Sequence, residues 1–503
     1  MFIRKKKNPS GVISVQVIDK SSGKYKMLKT IGSSSSALEV EQLVKQGKEW
    51  IKQKIGIKEL DFTDYQTHTD LVLEGVDQII LQGPQLLLGK LFREVGFDQI
   101  KDELFEQLVI ARVCFPASKL KTTDYLSKYQ FLDIDVQKVY RYMDKLYATQ
   151  KELVQKISYE HTLEVLGGKI SVVFYDVTTL YFEIEKEDEL RKTGFSKDGK
   201  HQHPQVVLGL LVSRNGYPLA YDIFEGNKFE GHTMLPVIEG FKQKYELENL
   251  VVVADAGLLS KDNIRQLQSK GYEYILGARI KTETKPIKQK ILSMLLKNGQ
   301  TQTVQKDEDT YLIVSYSTSR AKKDAFNRER GIEKLKKKIK TGKLTKENIN
   351  NRGYNKFLNI DNQVKVSLDG DKIKEDKKWD GLKGYYTNTT LKEEEVIAQY
   401  SELWKIEKAF RVSKNDLEIR PIYHRVQRRI EAHICIAFVA YKIYMELDRQ
   451  LKIKKADLSP EKAIDIAKTI YSIKIIHPIT KHVTIKTIIN TKEQLSLQKL
   501  FNF

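Results

Sequence analysis

Three acidic residues stand at positions where their carboxylates could act together. Asp176 lies in a β-branched and aromatic run at residues 169–183, and Asp255 follows a continuous apolar run, VVVA. Glu407 lies in a stretch at 390–414 whose apolar residues have helical spacing. Carboxylates that approach one another repel unless cations neutralise them, and hard oxygen ligands suit Mg²⁺ or Mn²⁺. The three acids therefore predict a divalent-metal site.

A site of this kind favours chemistry on phosphodiesters. Two such ions about 4 Å apart activate a water or hydroxyl and stabilise the leaving oxygen. We therefore expect Asp176, Asp255 and Glu407 to be catalytic residues that hold Mg²⁺, with Mn²⁺ able to substitute. Each acid alone has a simpler interpretation. Asp176 could cap a strand end, and Asp255 could be a turn residue. Glu407 could pair with Arg411 on a solvated helix, so only the joint placement is specific.

The elements around the acids predict how they are brought together. The run at 169–183 predicts a central strand that ends near Asp176, and an Asn-Gly turn joins two further strands at 205–213 and 217–224. A helix, the strand before Asp255, a second helix and a fifth strand follow. This order matches the RNase H-like α/β fold, a mixed sheet with flanking helices. Its first and fourth strands are neighbours, so two acids would lie side by side.

The stretch at 390–414 predicts the helix that adds the third acid. Thr390 can cap it, and Glu393 three residues later completes a capping box. No Pro or Gly stands between Glu393 and the end of the stretch. At about 100° per residue, one narrow arc holds an acid among apolar and basic groups: Tyr400, Leu403, Trp404, Glu407, Arg411 and Lys414.

Composition points to a polyanionic partner. Lys and Arg exceed Asp and Glu by twenty in a chain of 503 residues, and nucleic acid is the commonest soluble polyanion. The alternative is a basic enzyme whose charge only keeps it soluble. Cys114 and Cys435 lie in apolar helical contexts, which predicts reduced, buried thiols. We find no signal peptide and no apolar run of membrane-spanning length, which predicts no membrane partner and a cytoplasmic location.

Changes of pattern along the chain predict six segments. They are a small N-terminal β/helix region at 1–58, a helical, DNA-end-binding domain at 59–168, the first part of the RNase H-like core at 169–280, a basic insertion domain at 281–378, the second part of the core with the Glu407 helix at 379–450, and a basic C-terminal region at 451–503. For the helical region, plain helix packing is an equally simple interpretation.

The insertion carries the densest positive charge. Between Arg320 and Lys346, twelve Lys or Arg residues stand against three acidic residues. We expect Lys336, Lys337 and Lys338 in this run to contact DNA. A solvated helix face is the alternative.

These blocks resemble DDE transposases of bacterial insertion sequences. The blocks YDVTTLYFE, EGNKFEGHT and VVVADAGLLS carry the resemblance, which spans roughly residues 100–445. Within this family, the sequence is similar to the family-four-like group, which has a Tyr-x2-Arg-x3-Glu-x6-Lys signature. Tyr400, Glu407 and Lys414 match that spacing. Leu403 stands where the family has Arg. That role is therefore vacant, or passes to a neighbour such as Arg411.

The resemblance implies roles for single residues. The three acids would be the metal ligands, and Tyr400 and Lys414 would hold phosphates beside the scissile bond. Trp404 would stack on DNA, although a packed indole is the simpler interpretation. Trp379 could stack on an extruded base, as aromatic residues do in family members with inserted domains.

The resemblance also implies a cut-and-paste DNA transposase. It would act on the terminal inverted repeats of an insertion sequence and on target DNA, through a hairpin, as a dimer in the DNA-bound synaptic complex. The location would be the bacterial cytoplasm, in association with the nucleoid. Two alternatives stay open: a nuclease of the same fold without strand transfer, and a domesticated DNA-binding protein whose catalysis is lost.

Overall fold

The chain divides into two compact units. They are Met1–Asp77 with Lys474–Thr484, and Gln78–Ile473 with Ile485–Phe503. The structure, a computed structural model, describes residues 1–56, 70, 72–184, 186–196, 199–247, 250–258, 260–341, 353–360, 366–478 and 480–503. The predicted segment boundary at residue 58 lies outside the described residues, and the six segments stay a prediction.

An antiparallel sheet and one helix form the start of the chain. The strands β1 (Phe2–Lys7), β2 (Ile13–Asp19) and β3 (Lys26–Ser34) pair in that order. The helix Ala37–Ile55 follows, and Gly56 ends it in a left-handed conformation that glycine adopts without strain. The prediction that this region contains both strands and a helix is confirmed.

Helices fill most of the region at 72–168, as the spacing of its apolar residues predicts. Only β4 (Val76–Leu81), which precedes them, was not predicted. The helices are Lys90–Val95, Glu103–Cys114, Lys119–Gln130, Val136–Lys145 and Lys151–Val165, with π turns at Gln85–Gly89 and Leu146–Gln150. Asp102 caps one of them by accepting the Leu104 N–H at 3.2 Å.

A large mixed sheet forms the centre of the second unit. The remaining strands are β5 (Val172–Tyr181), β6 (Gln205–Ser213), β7 (Pro218–Glu225), β8 (Val251–Ala254), β9 (Glu273–Ala278), β10 (Thr301–Gln305), β11 (Tyr311–Tyr316), β12 (Leu358–Ile360), β13 (Val366–Leu368), β14 (Leu382–Thr387), β15 (Tyr471–Ile476) and β16 (Val483–Ile488). Eight of them form the sheet in the order β10-β11-β14-β9-β8-β5-β6-β7. A two-stranded sheet pairs β12 with β13, and a three-stranded one has the order β16-β15-β4.

The strand directions are those of an RNase H-like core. β5, β6 and β7 are antiparallel neighbours, whereas β5 pairs with β8, and β8 with β9, in parallel. The prediction that the first and fourth core strands are neighbours is therefore confirmed. The helices Met234–Lys244 and Lys261–Ser269 connect these strands, since parallel neighbours require a crossover connection.

The sequence pattern predicted that the first core strand ends near Asp176. This prediction is wrong. β5 continues for five more residues, to Tyr181, because β6 pairs with it from Val173 to Tyr181. Only the ladder with β8 stops, at the pair Tyr175–Ala254. Asp176 therefore lies inside a strand, at the point where its parallel neighbour ends.

Part of the predicted insertion extends the main sheet. β10 and β11 pair with each other, and β11 pairs with β14. The helices Lys285–Leu292, Thr318–Lys340 and Gly370–Lys377 lie in the same segment, and Leu335, Phe357 and Leu358 form a small core of their own. Residues 342–352, which include the end of the basic run, lie outside the described residues.

The predicted continuous helix over 390–414 is in fact two helices. The first is Glu393–Ser401 and the second, which we call the Glu407 helix, is Trp404–Arg411. The N–H groups of Glu402 and Leu403 bond to carbonyls three residues back, which tightens the turn between the helices. The N-cap is Lys392, so the predicted cap at Thr390 is wrong.

The chain ends in three further helices, Gln427–Ile453, Pro460–Ala467 and Lys492–Phe501. The first is 27 residues long and almost entirely buried. Even so, no helix within the described residues has the length and apolar character that crossing a membrane requires. The cellular location stays a prediction.

Candidate active site

The ladder between β5 and β8 brings Asp176 and Asp255 side by side at the point where β8 ends, which we call the acidic edge. Tyr175 is paired in register with Ala254, and each acid is the next residue along the chain. Side chains alternate across a sheet, so each acid shares a face with the residue two positions before it. Those residues, Phe174 and Val253, both belong to the core that the C-terminal helices cover, which we call the first core.

The Glu407 helix packs on that same face of the sheet. Its buried residues Ile406, Ala409 and Phe410 belong to the first core, together with Phe174 and Val253. Glu407 follows Ile406 by one residue, about 100° around the helix, and is exposed at the flank of this stripe. Burial of an apolar stripe therefore fixes the helix on the face where the two aspartates lie.

Tyr400 connects the helix before the break to Asp255. Its hydroxyl donates a hydrogen bond of 3.1 Å to the Asp255 carboxylate. Burial first, and then the negative charges of Asp255 and Glu407, raise the pKa of Tyr400. The phenol is therefore protonated and donates. The charge of Glu407 makes the smallest of these contributions.

Gly277 on β9 makes the approach of Tyr400 possible. A Cβ at this position would collide with the Tyr400 hydroxyl and lie 3.0 Å from the Ala256 nitrogen. The ring has no room to withdraw, because it packs edge-to-face on Tyr385 with ring centroids 4.9 Å apart. Position 277 therefore requires glycine, because the Tyr400 side chain passes too close for any Cβ.

Lys383 is a charged residue of the site that the sequence analysis missed. Its Nζ lies 4.4 Å from the centre of the Tyr400 ring, and the residue is half-buried on β14. Burial and the charge of Arg320 lower the pKa of Lys383, while Asp255 and Glu407 act in the opposite direction. One ammonium therefore experiences both acids. A lysine before the apolar run GYY, just ahead of the predicted helix, was the available signal.

A fourth acid, Glu230, also lies near Asp255. A Cβ added at Gly257 would lie 3.8 Å from Asp255 Oδ2 and 4.0 Å from Glu230 Oε2. The two carboxylates are therefore both close to one position. Glu230 belongs to a short 3₁₀ helix, Glu230–His232, in the block EGNKFEGHT that carried part of the resemblance. That block was the signal for this residue, although its acid was not singled out.

The donor set is compatible with a hard divalent cation. Within the described residues, no three His, Cys, Asp or Glu side chains are already close enough to hold a metal ion together. The acids are nevertheless placed at one edge, and Asp255 and Glu407 are exposed. Carboxylate oxygens at an accessible edge fit Mg²⁺ or Mn²⁺, which keep several water ligands.

The remaining predicted DNA contacts fall into two groups. Trp404 is 53% exposed, so the packed-indole interpretation is wrong, and Arg411 shares its exposed side of the Glu407 helix. Lys336, Lys337 and Lys338 are exposed on the helix Thr318–Lys340. By contrast, Trp379 is only 8% exposed and packs in the core on the other face of the sheet. Its indole is therefore not free to stack on an extruded base.

The signature positions differ in their surroundings. Lys414 lies in the π turn Val412–Asp416, directly after the Glu407 helix, and is half-buried. Leu403, at the family's Arg position, is buried in the first core. The side chain that replaces the arginine is thus a packing residue.

The strand order is that of RNase H-like enzymes. A family model described as Transposase DDE domain matches residues 167–443, more than half of the chain. The chain therefore belongs to the DDE transposase family, and it is a DNA transposase. DDE transposases use divalent metal ions.

Solved structures with a similar course of the chain are also transposases. One is the cryo-EM structure of the piggyBac transposase synaptic complex with hairpin DNA, which is 8% identical to this chain. The match covers 81% of this chain and 80% of that chain, with a TM-score of 0.40. The Mos1 transposase paired-end complex with the left transposon end is 12% identical over 46% of this chain and 66% of that chain, with a TM-score of 0.16. The Mos1 mariner paired-end complex with Mn is 12% identical over 46% and 67%, with a TM-score of 0.15. At these scores the likeness carries no argument. A comparison with curated proteins finds no match.

Replacement of Gly277 tests how Tyr400 is positioned. Gly277→Ala should lower the free energy of unfolding by about 1–3 kcal/mol, because the new methyl group meets a ring that cannot withdraw. Gly240→Ala is the matched control: it lies in the helix Met234–Lys244, and its Cβ would meet no atom within 4 Å. The control should be neutral or slightly stabilising. Urea unfolding measures both, and equal stability of the two variants would contradict the packing described.

Proposed function

We propose that this transposase cleaves DNA at the terminal inverted repeats of an insertion sequence and joins the ends to target DNA. The observation that carries the proposal is the in-register placement of Asp176 and Asp255, with the Glu407 helix on the same face of the sheet. A wholly structural role would not explain why two carboxylates follow paired positions on neighbouring strands, where they repel each other.

The acids would hold Mg²⁺ in this proposal, and Mn²⁺ would substitute for it. When bound, a pair of such ions supplies activation of an attacking water or hydroxyl and stabilisation of the leaving oxygen. Asp176, Asp255 and Glu407 are the proposed ligands. Tyr400 orients the Asp255 carboxylate by its hydrogen bond of 3.1 Å.

Basic side chains around the acids would position the DNA. Lys383, whose Nζ lies over the Tyr400 ring at 4.4 Å, can hold a phosphate beside the acids as a point charge. Lys414 would do the same from the π turn after the Glu407 helix. Trp404 and Arg411 extend the exposed side of that helix as further DNA contacts. A dimer in the synaptic complex would hold the two ends of the element.

A nuclease without strand transfer is the second candidate. The observation that favours it is the burial of Leu403 at the signature's Arg position, which removes one phosphate contact. Labelled end DNA incubated with a target plasmid separates the candidates. Joined products support the transposase, whereas cleavage without any joining supports the nuclease.

Removal of a single acid should abolish chemistry and leave DNA binding intact. Asp176→Ala, Asp255→Ala and Glu407→Ala each delete a proposed metal ligand and none of the basic surface. We expect end DNA to shift on a gel as with the wild type, while nicking in Mg²⁺ or Mn²⁺ disappears. Glu394→Gln is the matched control, an exposed acid on the preceding helix Glu393–Ser401. A variant with near-normal cleavage would remove its acid from the site.

The insertion should contribute to the salt dependence of DNA binding. Each phosphate contact lowers the slope of log K against log salt by about 0.9, so the triple variant Lys336→Ala, Lys337→Ala, Lys338→Ala should flatten it. The triple variant Lys452→Ala, Lys454→Ala, Lys455→Ala removes equal charge from the end of another helix. Fluorescence anisotropy at several salt concentrations measures the slopes. If only the control changes the slope, the basic helix is a solvated face.

Second-strand cleavage should pass through a hairpin that depends on Lys414. In this proposal the free 3′ hydroxyl attacks the opposite strand, and Lys414 holds the end in place for that step. Lys414→Ala should still nick DNA but should form hairpins on the order of a hundredfold more slowly, because placement of the reacting group is lost. Denaturing gels of end-labelled DNA show both products. Double-strand breaks with no hairpin at any time would refute this route.

A further inference from the structure

A cationic pocket lies outside the group of acids, between the start of the helix Lys119–Gln130 and the segment 418–424. Its volume is about 510 Å³, which is within the usual range of ligand pockets. Two cationic side chains in its wall, Arg112 and Lys119, are each only 4% exposed. Buried cations are costly unless an anion accompanies them.

Lys119 has no such partner. Across the described parts of the chain, its Nζ makes no hydrogen bond and no carboxylate lies within ion-pair distance. Burial, and then the positive charge of Arg112, lower the pKa of Lys119. A lysine of the usual kind extends its ammonium into water. This one ends in the pocket instead.

Arg112 is held rigidly, but no carboxylate of the described residues lies within ion-pair distance of it either. Its Nη2 donates to the Ala117 carbonyl at 3.0 Å, and its Nη1 donates to the carbonyls of Leu417 and Glu418 at 3.4 Å. Burial lowers the pKa of Arg112 to about 10, so the guanidinium is charged at neutral pH. These bonds leave part of the donor set of the guanidinium unused.

Two histidines complete the polar wall. His433 Nε2 lies 2.9 Å from the Ile419 carbonyl, to which it donates. Its Nδ1 is buried and has no hydrogen-bond partner among the described residues. Burial, and then the charges of Lys119 and Arg112, lower the pKa of the adjacent His424 to about 3. Both rings are therefore neutral, and His433 Nδ1 is an acceptor.

The helix Lys119–Gln130 begins at the pocket. Ser118 caps it and accepts the Lys121 N–H at 3.3 Å. The first N–H groups of a helix lack intrahelical partners, and its positive end favours anions, phosphate in particular.

We propose that this pocket binds a phosphate group. Lys119 and Arg112 hold its charged oxygens, and the first turn of the helix Lys119–Gln130 adds backbone donors. The two cations match the charge of inorganic phosphate or of a phosphate monoester, close to −2, better than the single charge of a diester.

The phosphate has two possible sources, a 5′ end of DNA or free phosphate. The DNA source rests on the proposed function. Beyond Asp176, β5 continues to Tyr181. The Tyr181 ring lies 5.9 Å from the guanidinium of Arg420 at the pocket. Five residues of strand span roughly 17 Å. That is about five nucleotides of one DNA strand, so a strand end in the pocket could belong to DNA held at the acids.

Thermal unfolding with inorganic phosphate tests the pocket in the full chain, with ionic strength kept constant by chloride. Phosphate should raise the Tm of the wild type, because it binds only the folded state. Lys119→Met should bind phosphate at least tenfold more weakly in isothermal titration. Lys128→Met, an exposed lysine on the same helix, should bind it normally. No binding by the wild type, or normal binding by Lys119→Met, would overturn the proposal.

A labelling experiment needs no variant and covers the case in which Lys119→Met does not fold. Phosphate should slow the acetylation of Lys119 by acetic anhydride and leave Lys128 unchanged, as read by peptide mass spectrometry. Equal rates at Lys119 with and without phosphate would overturn the proposal.

Duplexes that differ only in a 5′ phosphate identify the source. If the pocket takes a DNA end, the wild type should bind the phosphorylated duplex several-fold more tightly, and Lys119→Met should not discriminate. If both duplexes bind equally while inorganic phosphate still raises the Tm, the pocket binds free phosphate. Failure to bind any duplex would contradict the proposed function and leave the phosphate result standing. The pocket itself is refuted if inorganic phosphate does not bind, whatever the duplexes do.

Discussion

The parallel ladder between β5 and β8 is the constraint on which the candidate active site depends. It places two carboxylates on adjacent strands in the same register, where they repel each other. β6 holds β5 extended past this point, so Asp176 cannot move away by bending its strand. The sheet therefore imposes an acidic edge, which a bound cation would stabilise.

Groups around the acidic edge moderate this repulsion. Tyr400 donates to Asp255, and Lys383 lies over the Tyr400 ring, where it experiences both Asp255 and Glu407. Tyr400 is buried and Lys383 is half-buried, so salt screens their interactions less than it screens those of surface charges. The same lysine can meet a phosphate when DNA is present, which would couple metal binding and substrate binding at one edge.

The break between the two C-terminal core helices separates two tasks. Before the break, Tyr400 is buried and reaches Asp255 through the space left by Gly277. After it, the Glu407 helix buries Ile406 and Phe410 and exposes Trp404 and its acid. A single continuous helix with this sequence would put these groups on one arc. The tight turn instead lets one side chain pack inward and the next ones face outward.

Local pattern was sufficient for the order of the core strands and for the family. Strand periods, apolar runs and turn residues are properties of neighbouring residues, and they survive without knowledge of the rest of the chain. The pairing of β5 with β8 followed from that order, because the first and fourth strands are neighbours in an RNase H-like sheet.

Tertiary structure alone decided which side chains meet. Lys383 and Glu230 join the acids from distant parts of the chain, and Trp379 is buried although its sequence context is polar. The pocket at Lys119 depends on contacts between residues about 300 positions apart, such as Arg112 with Leu417. The physical reason is that burial, pairing of charges and the break before the Glu407 helix are set by long-range packing, which leaves no periodic trace in the sequence.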